Sequence, residues 1–346
     1  MTPDPLLDAL RRLASGFDLT EAEAHDAVGV VVAGGASEPM LAAFLTALKV
    51  KGETADELAG AVRAVRSRMA PFDDDPDAPR PLRLDTCGTG GDGANTVNIS
   101  TASAIVVAAA GVAVVKHGNR SASGNSGSAE VLEELGVEIE SSPAVLKRCL
   151  DELGLTFLYA PQFHPALRYA RPVRKQLPFR TLFNLVGPLA NPARPDFQVV
   201  GVSGEPQGRL VAEALARLGT RRAAVVRGGD GLDEVTLDGP THVLWVESGE
   251  VTSMTWAPND FGLPKVTAAE LRVSGPVESA WLIRAFLDGQ PGPVRSSVLA
   301  NAAAALFVAG RAVSLAESVD LAAEAVDAGR AAALLDRWIS FGISKT

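Results

Sequence analysis

The stretch Gly88-Thr-Gly-Gly-Asp-Gly93 satisfies G-x-G-x-x-G and follows a short run, Leu82-Arg-Leu-Asp-Thr-Cys87, that reads as a strand. Glycines at this spacing let backbone N–H groups approach an anion, and a helix start nearby adds positive potential, so the loop suits phosphate groups. A dinucleotide would need an acid about 20 residues further on to hold its ribose. No Asp or Glu occurs between Asp92 and Glu130, and Lys116-His-Gly-Asn-Arg120 stands there instead. A cation at that place argues for a phosphate-rich ligand and against a nicotinamide dinucleotide. Asn98, Ser100 and Thr101 lie at the expected helix start, where they serve either as caps or as anion contacts. The second loop, Ser121-Ala-Ser-Gly-Asn-Ser-Gly-Ser128, follows Lys116 and Arg120 directly. We read it as a second phosphate-holding loop, with a flexible linker as the alternative. Loops that leave parallel strands at their carboxyl ends converge on one edge, so Lys116 and Ser128 are expected to reach the ligand of the first loop.

Two further constellations carry chemistry. Asp233-Glu234 follows an apolar run through Gly228-Gly-Asp-Gly231. Paired carboxylates at the end of a strand suit Mg²⁺, which prefers oxygen ligands and binds beside substrate phosphates. Between Glu152 and Asp196 there is no acid, while Arg168, Arg171, Arg174, Lys175, Arg180 and Arg194 contribute six positive charges. A carboxylate substrate would select Arg, whose planar fork holds both oxygens; a solvated helix face is the alternative. His117 and His164 fall within these segments. No Ser-His-Asp order and no pair of histidines at metal-ligand spacing accompanies them.

The elements that must position these residues follow from periodicity. Residues 1–70 read as helices: Leu6, Leu7, Leu10 and Leu13 repeat at helical spacing, and Thr20-x-x-Glu23 and Thr54-x-x-Glu57 match capping boxes. Pro71 to Pro81 holds four Asp and four Pro in eleven residues. This composition neither continues a helix nor pairs as a strand, so a domain boundary and hinge are expected at 71–81. From 82 to 346 an α/β domain is expected. Its strands are placed at 82–87, 112–115, 156–159, 198–202, 223–226, 243–246 and 251–256, mostly parallel, with helices between them and a helical tail. Helices within about 164–190 are expected to join the N-terminal bundle.

The chain has 346 residues, about two domains' worth. Its 32 Lys and Arg against 41 Asp and Glu give a net charge of −9, a field that repels nucleic acid and anionic lipid. Cys87 and Cys149 form no Cys-x-x-Cys or Cys/His cluster. The longest uncharged apolar run, 104–115, falls short of a membrane span, and the first residues carry no basic region. A soluble, cytoplasmic protein is expected.

Taken together, several long motifs resemble the anthranilate phosphoribosyltransferase family. They are Asp85-Thr-Cys-Gly-Thr-Gly-Gly-Asp-Gly93, Asn98-Ile-Ser-Thr101, Lys116-His-Gly-Asn-Arg120, Phe183-Asn-Leu-Val-Gly-Pro-Leu-Ala-Asn-Pro192 and Gly231-Leu-Asp-Glu234. The helical segment Ala43 to Thr54 and weaker similarity as far as Asn301 extend the likeness over nearly the whole chain. The resemblance implies a small helical domain beside a larger α/β domain of the nucleoside phosphorylase/phosphoribosyltransferase type, and a homodimer formed through the helices. It implies transfer of the phosphoribosyl group from phosphoribosyl pyrophosphate (PRPP) to the amine of anthranilate, in tryptophan biosynthesis. By position, Gly88, Gly91, Asp92, Thr96, Asn98, Ile99, Ser100, Thr101, Lys116 and Ser128 would hold PRPP. Ser100, Asp233 and Glu234 would hold Mg²⁺, and Gly88, Asn119 and Arg174 would contact anthranilate, with His117 and His164 as further acceptor-site residues.

There are departures from the family pattern. Leu177 is followed by Pro178 where Leu-Gly is usual, which bears on the aim of Arg174 and Arg180. Leu167 replaces a usual Met, Asn125 a usual Lys, and Arg295-Ser296 an Arg-Asp pair. The rival readings are a pyrimidine nucleoside phosphorylase-like enzyme and a non-catalytic, nucleic-acid-binding relative of the same fold. Asp92, Lys116 and Asp233-Glu234, with the acidic balance, speak against the second.

Overall fold

In the computed structural model, which describes residues 4–73, 75, 79–121 and 124–343, four helices come first. They are α1 (Pro5–Ala14), α2 (Glu21–Val32), α3 (Glu38–Lys51) and α4 (Ala55–Arg66). Both expected capping boxes close. The Thr20 hydroxyl accepts the Glu23 N–H and the Glu23 carboxylate accepts the Thr20 N–H, and Thr54 and Glu57 do the same. Glu57 is fully buried, yet it is satisfied, because it also accepts the Leu19 N–H at 3.0 Å and pairs with Lys51 at 3.1 Å.

A seven-stranded sheet follows, built from β1 (Arg83–Gly88), β2 (Ala113–Gly118), β3 (Leu155–Tyr159), β4 (Phe197–Gly201), β5 (Arg222–Gly228), β6 (Thr241–Glu247) and β7 (Glu250–Trp256). Its order is β3-β2-β1-β4-β5-β6-β7. The first five strands are parallel, with Leu84 opposite Phe197 and Gly88 opposite Gly201, while β6 and β7 add an antiparallel hairpin at one edge. The expected strands lie where the sequence puts them, with one consequential shift. β2 runs on through Lys116 and His117, so both belong to a strand and not to the loop that follows it.

Crossover helices cover both faces. α5 (Ile99–Ala109), α6 (Ser128–Glu134), α7 (Pro143–Leu153) and α8 (Ala160–Phe163) follow β1, β2 and β3 in turn; then come α9 (Arg171–Gln176), α10 (Phe183–Leu189) and α11 (Glu205–Arg217). The tail consists of α12 (Pro258–Phe261), α13 (Pro276–Leu287), α14 (Pro293–Val308), α15 (Leu315–Asp327) and α16 (Arg330–Ile343). Strand alternation divides the core. Leu84, Val114, Leu155, Val199 and Val226 pack with α5 and the tail helices. Val200, Val202, Ala223 and Val225 pack on the other face with α10, α11 and the N-terminal helices.

The segment expected as a hinge is pinned where it can be described. Phe72 is buried against Phe163, Arg83 lies over the Phe72 ring and pairs with Asp73 at 2.6 Å, and the Ala70 N–H reaches Phe163. Residues 74 and 76–78 of that segment lie outside the described residues. No helix among the described residues is long and apolar enough to cross a membrane.

Candidate active site

The carboxyl ends of β1, β2, β4 and β5 meet at one sheet edge, and the loop after β5 folds across them. Asp230 shapes this loop by accepting the Leu232 N–H and the Thr236 hydroxyl. Buried Asn301, on α14, clips its far side by exchanging both amide hydrogen bonds with Val235 at 2.9 Å. Asp233 therefore lies on the strand ends. Its carboxylate accepts the Gly90 N–H at 2.8 Å. A Cβ on Gly88 would sit 2.6 Å from that carboxylate, and one on Gly201 would sit 1.6 Å from the Asp233 carbonyl oxygen. Glycine at 88 and 201 thus makes room for the acidic loop, a role distinct from letting an anion approach.

Glu234 lies beside the start of α5, close enough for the Ser100 N–H to favour its charged form. A carboxylate therefore stands near the helix N-terminus expected to face phosphate, where the positive end favours its charge. Burial, then the neighbouring acids, pushes the Glu234 carboxyl well above the ordinary range, and burial with the Asp92 charge raises Asp233 to about 6. Lys116, buried beneath, donates to the Thr86 carbonyl at 2.6 Å and to the Ser100 hydroxyl at 3.2 Å. Two crowded carboxylates with a hydroxyl alongside fit a hard divalent cation, which would relieve both the burial cost and the repulsion. No set of three or more His, Cys, Asp or Glu among the described residues forms a closed cage. An ion here would keep places for water and substrate oxygens.

The other predicted donor residues surround this pair. Asn98 does not cap α5: its Oδ1 accepts the hydroxyls of Ser126 and Ser279, each at 2.8 Å, tying the hydroxyl loop and α13 to the helix start. Ile99 is buried, the buried Thr101 hydroxyl has no partner among the described residues, and Thr96 bridges to Arg272. Ser128 opens α6 and donates to the Asn119 carbonyl. Glu130 closes the hydroxyl loop by accepting the N–H groups of Ser121 and Gly127; Ala122 and Ser123 lie outside the described residues. Arg120, expected to add charge to this loop, instead pairs with Glu133 at 2.6 Å and lies over Tyr159.

On the acceptor side, His117 and His164 are both buried, with rings 5.2 Å apart and edge to face. His117 Nδ1 lies 3.2 Å from the Gly187 carbonyl, which can only accept. Nδ1 therefore carries the proton and Nε2 is a bare acceptor. Burial drives both imidazoles down, His164 to about 4 and His117 well below its ordinary value, so both are neutral. Of the six cations in the acid-free segment, Arg174 and Arg180 lie partly buried, while Arg168 stacks on Tyr169 at the surface. Arg174 lies over Phe183 at 5.7 Å and burial lowers its affinity for its proton. No described contact joins Arg174 to Asn119 or Gly88. Asn119 is exposed, its Oδ1 accepting the Arg120 N–H.

Sequence reasoning gave no role to Asn301, Ser279 or Asp85. Asp85 is fully buried, accepts from Asn191 at 2.8 Å and from the His117 N–H at 3.3 Å, and so locks β1 to β2 below the site. A carboxylate flanked by Leu84 and Thr86 within a strand was the available signal for it.

The chain is similar to known proteins over nearly its whole length. Residues 7–69 match the glycosyl transferase family helical bundle domain, and residues 80–332 match the glycosyl transferase family a/b domain. The anthranilate phosphoribosyltransferase of Moorella thermoacetica is 46% identical over 96% of this chain and 97% of its own length. The chain belongs to the anthranilate phosphoribosyltransferase family. Among solved anthranilate phosphoribosyltransferases, that of Thermus thermophilus superposes with a TM-score of 0.90 at 40% identity, covering 97% of this chain and all of that one. The enzyme of Saccharomyces cerevisiae in complex with PRPP and Mg gives 0.88 at 28% identity over 98% of each chain.

Proposed function

We infer that this chain transfers the 5-phosphoribosyl group of PRPP to the amine of anthranilate, yielding N-(5-phosphoribosyl)anthranilate and pyrophosphate, in tryptophan biosynthesis. The observation that carries this reading is the seating of the Asp233-Glu234 loop on the glycine loop, in a chain whose relatives bear that activity as their name. The same reading assigns PRPP to Gly88, Gly91, Asp92, Thr96, Asn98, Ile99, Ser100, Thr101, Lys116 and Ser128.

Asp233, Glu234 and the Ser100 hydroxyl would hold magnesium, which when bound supplies positive charge to the diphosphate leaving group. The protein's own part is positioning and charge. Lys116 keeps the Thr86 and Ser100 groups fixed beneath the donor. Arg174, over the Phe183 ring, offers a desolvated guanidinium to the anthranilate carboxylate, with Asn119 and Gly88 lining the acceptor. Behind the acceptor the neutral His117 packs edge-on with His164, its unprotonated Nε2 enclosed and without a partner among the described residues. As the amine nitrogen bonds to the anomeric carbon, the carbon–oxygen bond to pyrophosphate breaks, positive charge passes through the ribose, and the proton lost by the nitrogen goes to the departing pyrophosphate or to water. Exclusion of water by the buried acceptor side protects that centre from hydrolysis.

This reading includes a cytoplasmic homodimer, with the exposed Phe17 and Val50 of the helical region as apolar contact residues. It also divides the chain into a helical domain at 1–70, joined by helices within 164–190, and an α/β domain at 82–346.

Loss of anthranilate fluorescence is expected only when protein, PRPP and Mg²⁺ are all present. Replacing Asp233 and Glu234 together by Ala should lower turnover by about 100-fold or more. Undiminished turnover in that double variant would remove the pair from the reaction. Activity with a pyrimidine nucleoside and inorganic phosphate in place of PRPP would favour the phosphorylase reading.

A further inference from the structure

Arg180 leaves the acceptor segment and crosses to the glycine loop. Its guanidinium donates to two consecutive backbone carbonyls, Nη2 to Thr89 at 2.5 Å and Nη1 to Gly90. It lies so close to Gly91 that a Cβ there would fall 1.6 Å from Nη1, and Gly91 has φ +86°. Glycine at 91 therefore answers to Arg180 as well as to backbone shape.

Trans peptide planarity makes this contact directional. Within one peptide unit, C=O and N–H point in opposite directions. The Thr89 carbonyl points at Arg180, and the N–H of the same unit, that of Gly90, points away from it and donates to Asp233 at 2.8 Å. In the next unit the Gly90 carbonyl points at Arg180, which turns the Gly91 N–H away from it in turn. Arg180 thus grips one side of the loop, leaving the N–H groups on the side of the acid pair. Asp92 and Asp233 lie near enough to act on its charge, yet both of its terminal nitrogens are spent on the carbonyls, while the buried Nε has no partner among the described residues. A planar fork holds two N–H groups at fixed spacing and in one plane, so it orients adjacent carbonyls, whereas the rotatable donors of an ammonium group fix no such plane.

We propose that Arg180 is a positioning residue of the donor site: its fork sets the side of the glycine loop that meets the diphosphate and couples that loop to the segment carrying Arg174. The inference rests on the reading that PRPP binds at residues 88–93. It assigns Arg180 to the donor, although its neighbours in sequence serve the acceptor.

The test compares wild type, Arg180→Lys and Arg180→Ala. Steady-state KM is measured separately for PRPP and anthranilate, PRPP binding by calorimetry, and hydrogen exchange over residues 88–95 by mass spectrometry. Both variants should raise the PRPP KM by about tenfold or more, as loss of a supporting hydrogen-bond partner does, and move the anthranilate KM by much less. Exchange at 88–95 should accelerate in both, with thermal midpoints close to wild type, and Lys should not rescue. Restoration of the PRPP KM by Lys would overturn the proposal, because charge alone would then suffice. So would a selective rise in the anthranilate KM, which would make Arg180 an acceptor ligand, or unchanged loop exchange. The two readings fail differently. If wild type does not bind PRPP, the proposed function falls; if wild type binds it and both variants bind it equally well, the role of Arg180 falls.

Discussion

His164 shows how burial converts a common residue into a pH-dependent one. Its proton affinity is lowered from 6.5 to about 4, mainly by burial, with the Arg66 charge adding and the nearby Ala190 backbone opposing. The unfolded chain therefore binds a proton that the folded chain refuses. The stability involved is fully present above about pH 6.5 and is lost as pH falls toward 4, to a limit of about 3 kcal/mol. Asp85, raised to about 6 by burial, works in the opposite sense, so the wild-type slope mixes the two. The difference from His164→Gln isolates the histidine. Between about pH 7.5 and pH 5, wild type should lose more unfolding free energy than His164→Gln in urea titrations. Parallel losses would show that His164 is not held neutral by the fold.

Among the elements, α2 and α4 approach so closely that their crossing admits no side chain at Gly60. A Cβ there would meet the Glu21 carbonyl at 2.3 Å and the Ala24 Cβ at 2.9 Å. Helix propensity alone favours Ala over Gly by about 1 kcal/mol. Overpacking against rigid backbone costs about 1–3 kcal/mol, so Gly60→Ala should destabilise the protein, seen as a lower urea midpoint. A raised midpoint would mean that the helices separate at no cost. The elements themselves were legible in the sequence: Thr20 and Thr54 cap as their spacing predicts, and the seven apolar runs are the seven strands. Less legible was the extent of β2, because Lys116 and His117 look polar enough for a loop. They are strand residues because Asp85, Thr86 and Ser100 lie below them to take their polar groups.

At the scale of the molecule, the N-terminal helices do not own a separate core. Their apolar residues join those of α10, α11 and one face of the sheet in a single cluster. Polar contacts reinforce it: Arg66 donates to the Leu189 carbonyl at 2.6 Å, Arg63 to the Arg217 carbonyl at 2.9 Å, and Arg217 pairs with Asp56 at 2.7 Å. A shared core unfolds as a unit, so calorimetry should give one transition with matching calorimetric and van't Hoff enthalpies. Two resolved transitions would show that the helices and the sheet are independent. The net charge of −9 also belongs to this scale. It leaves an anionic substrate to local donors, and Arg174 and Arg180 are partly buried where no acid of their own segment can neutralise them.

The parts that the sequence determined by itself are those ruled by near neighbours. Capping boxes, apolar alternation, the glycine loop, the paired acids and the acid-free stretch each depend on residues a few positions apart, and local sterics and charge suffice to set them. The family likeness adds their order along the chain. Tertiary structure alone decided what each group faces. Asp233 meets a backbone N–H 143 positions away, Arg180 grips a loop about 90 positions away, and Glu234 stands near the helix start that the sequence had offered to phosphate. Arg120, which precedes the hydroxyl loop in sequence, pairs with Glu133. Burial and partner set the charge state and aim of a side chain, and both arise only when distant segments pack together.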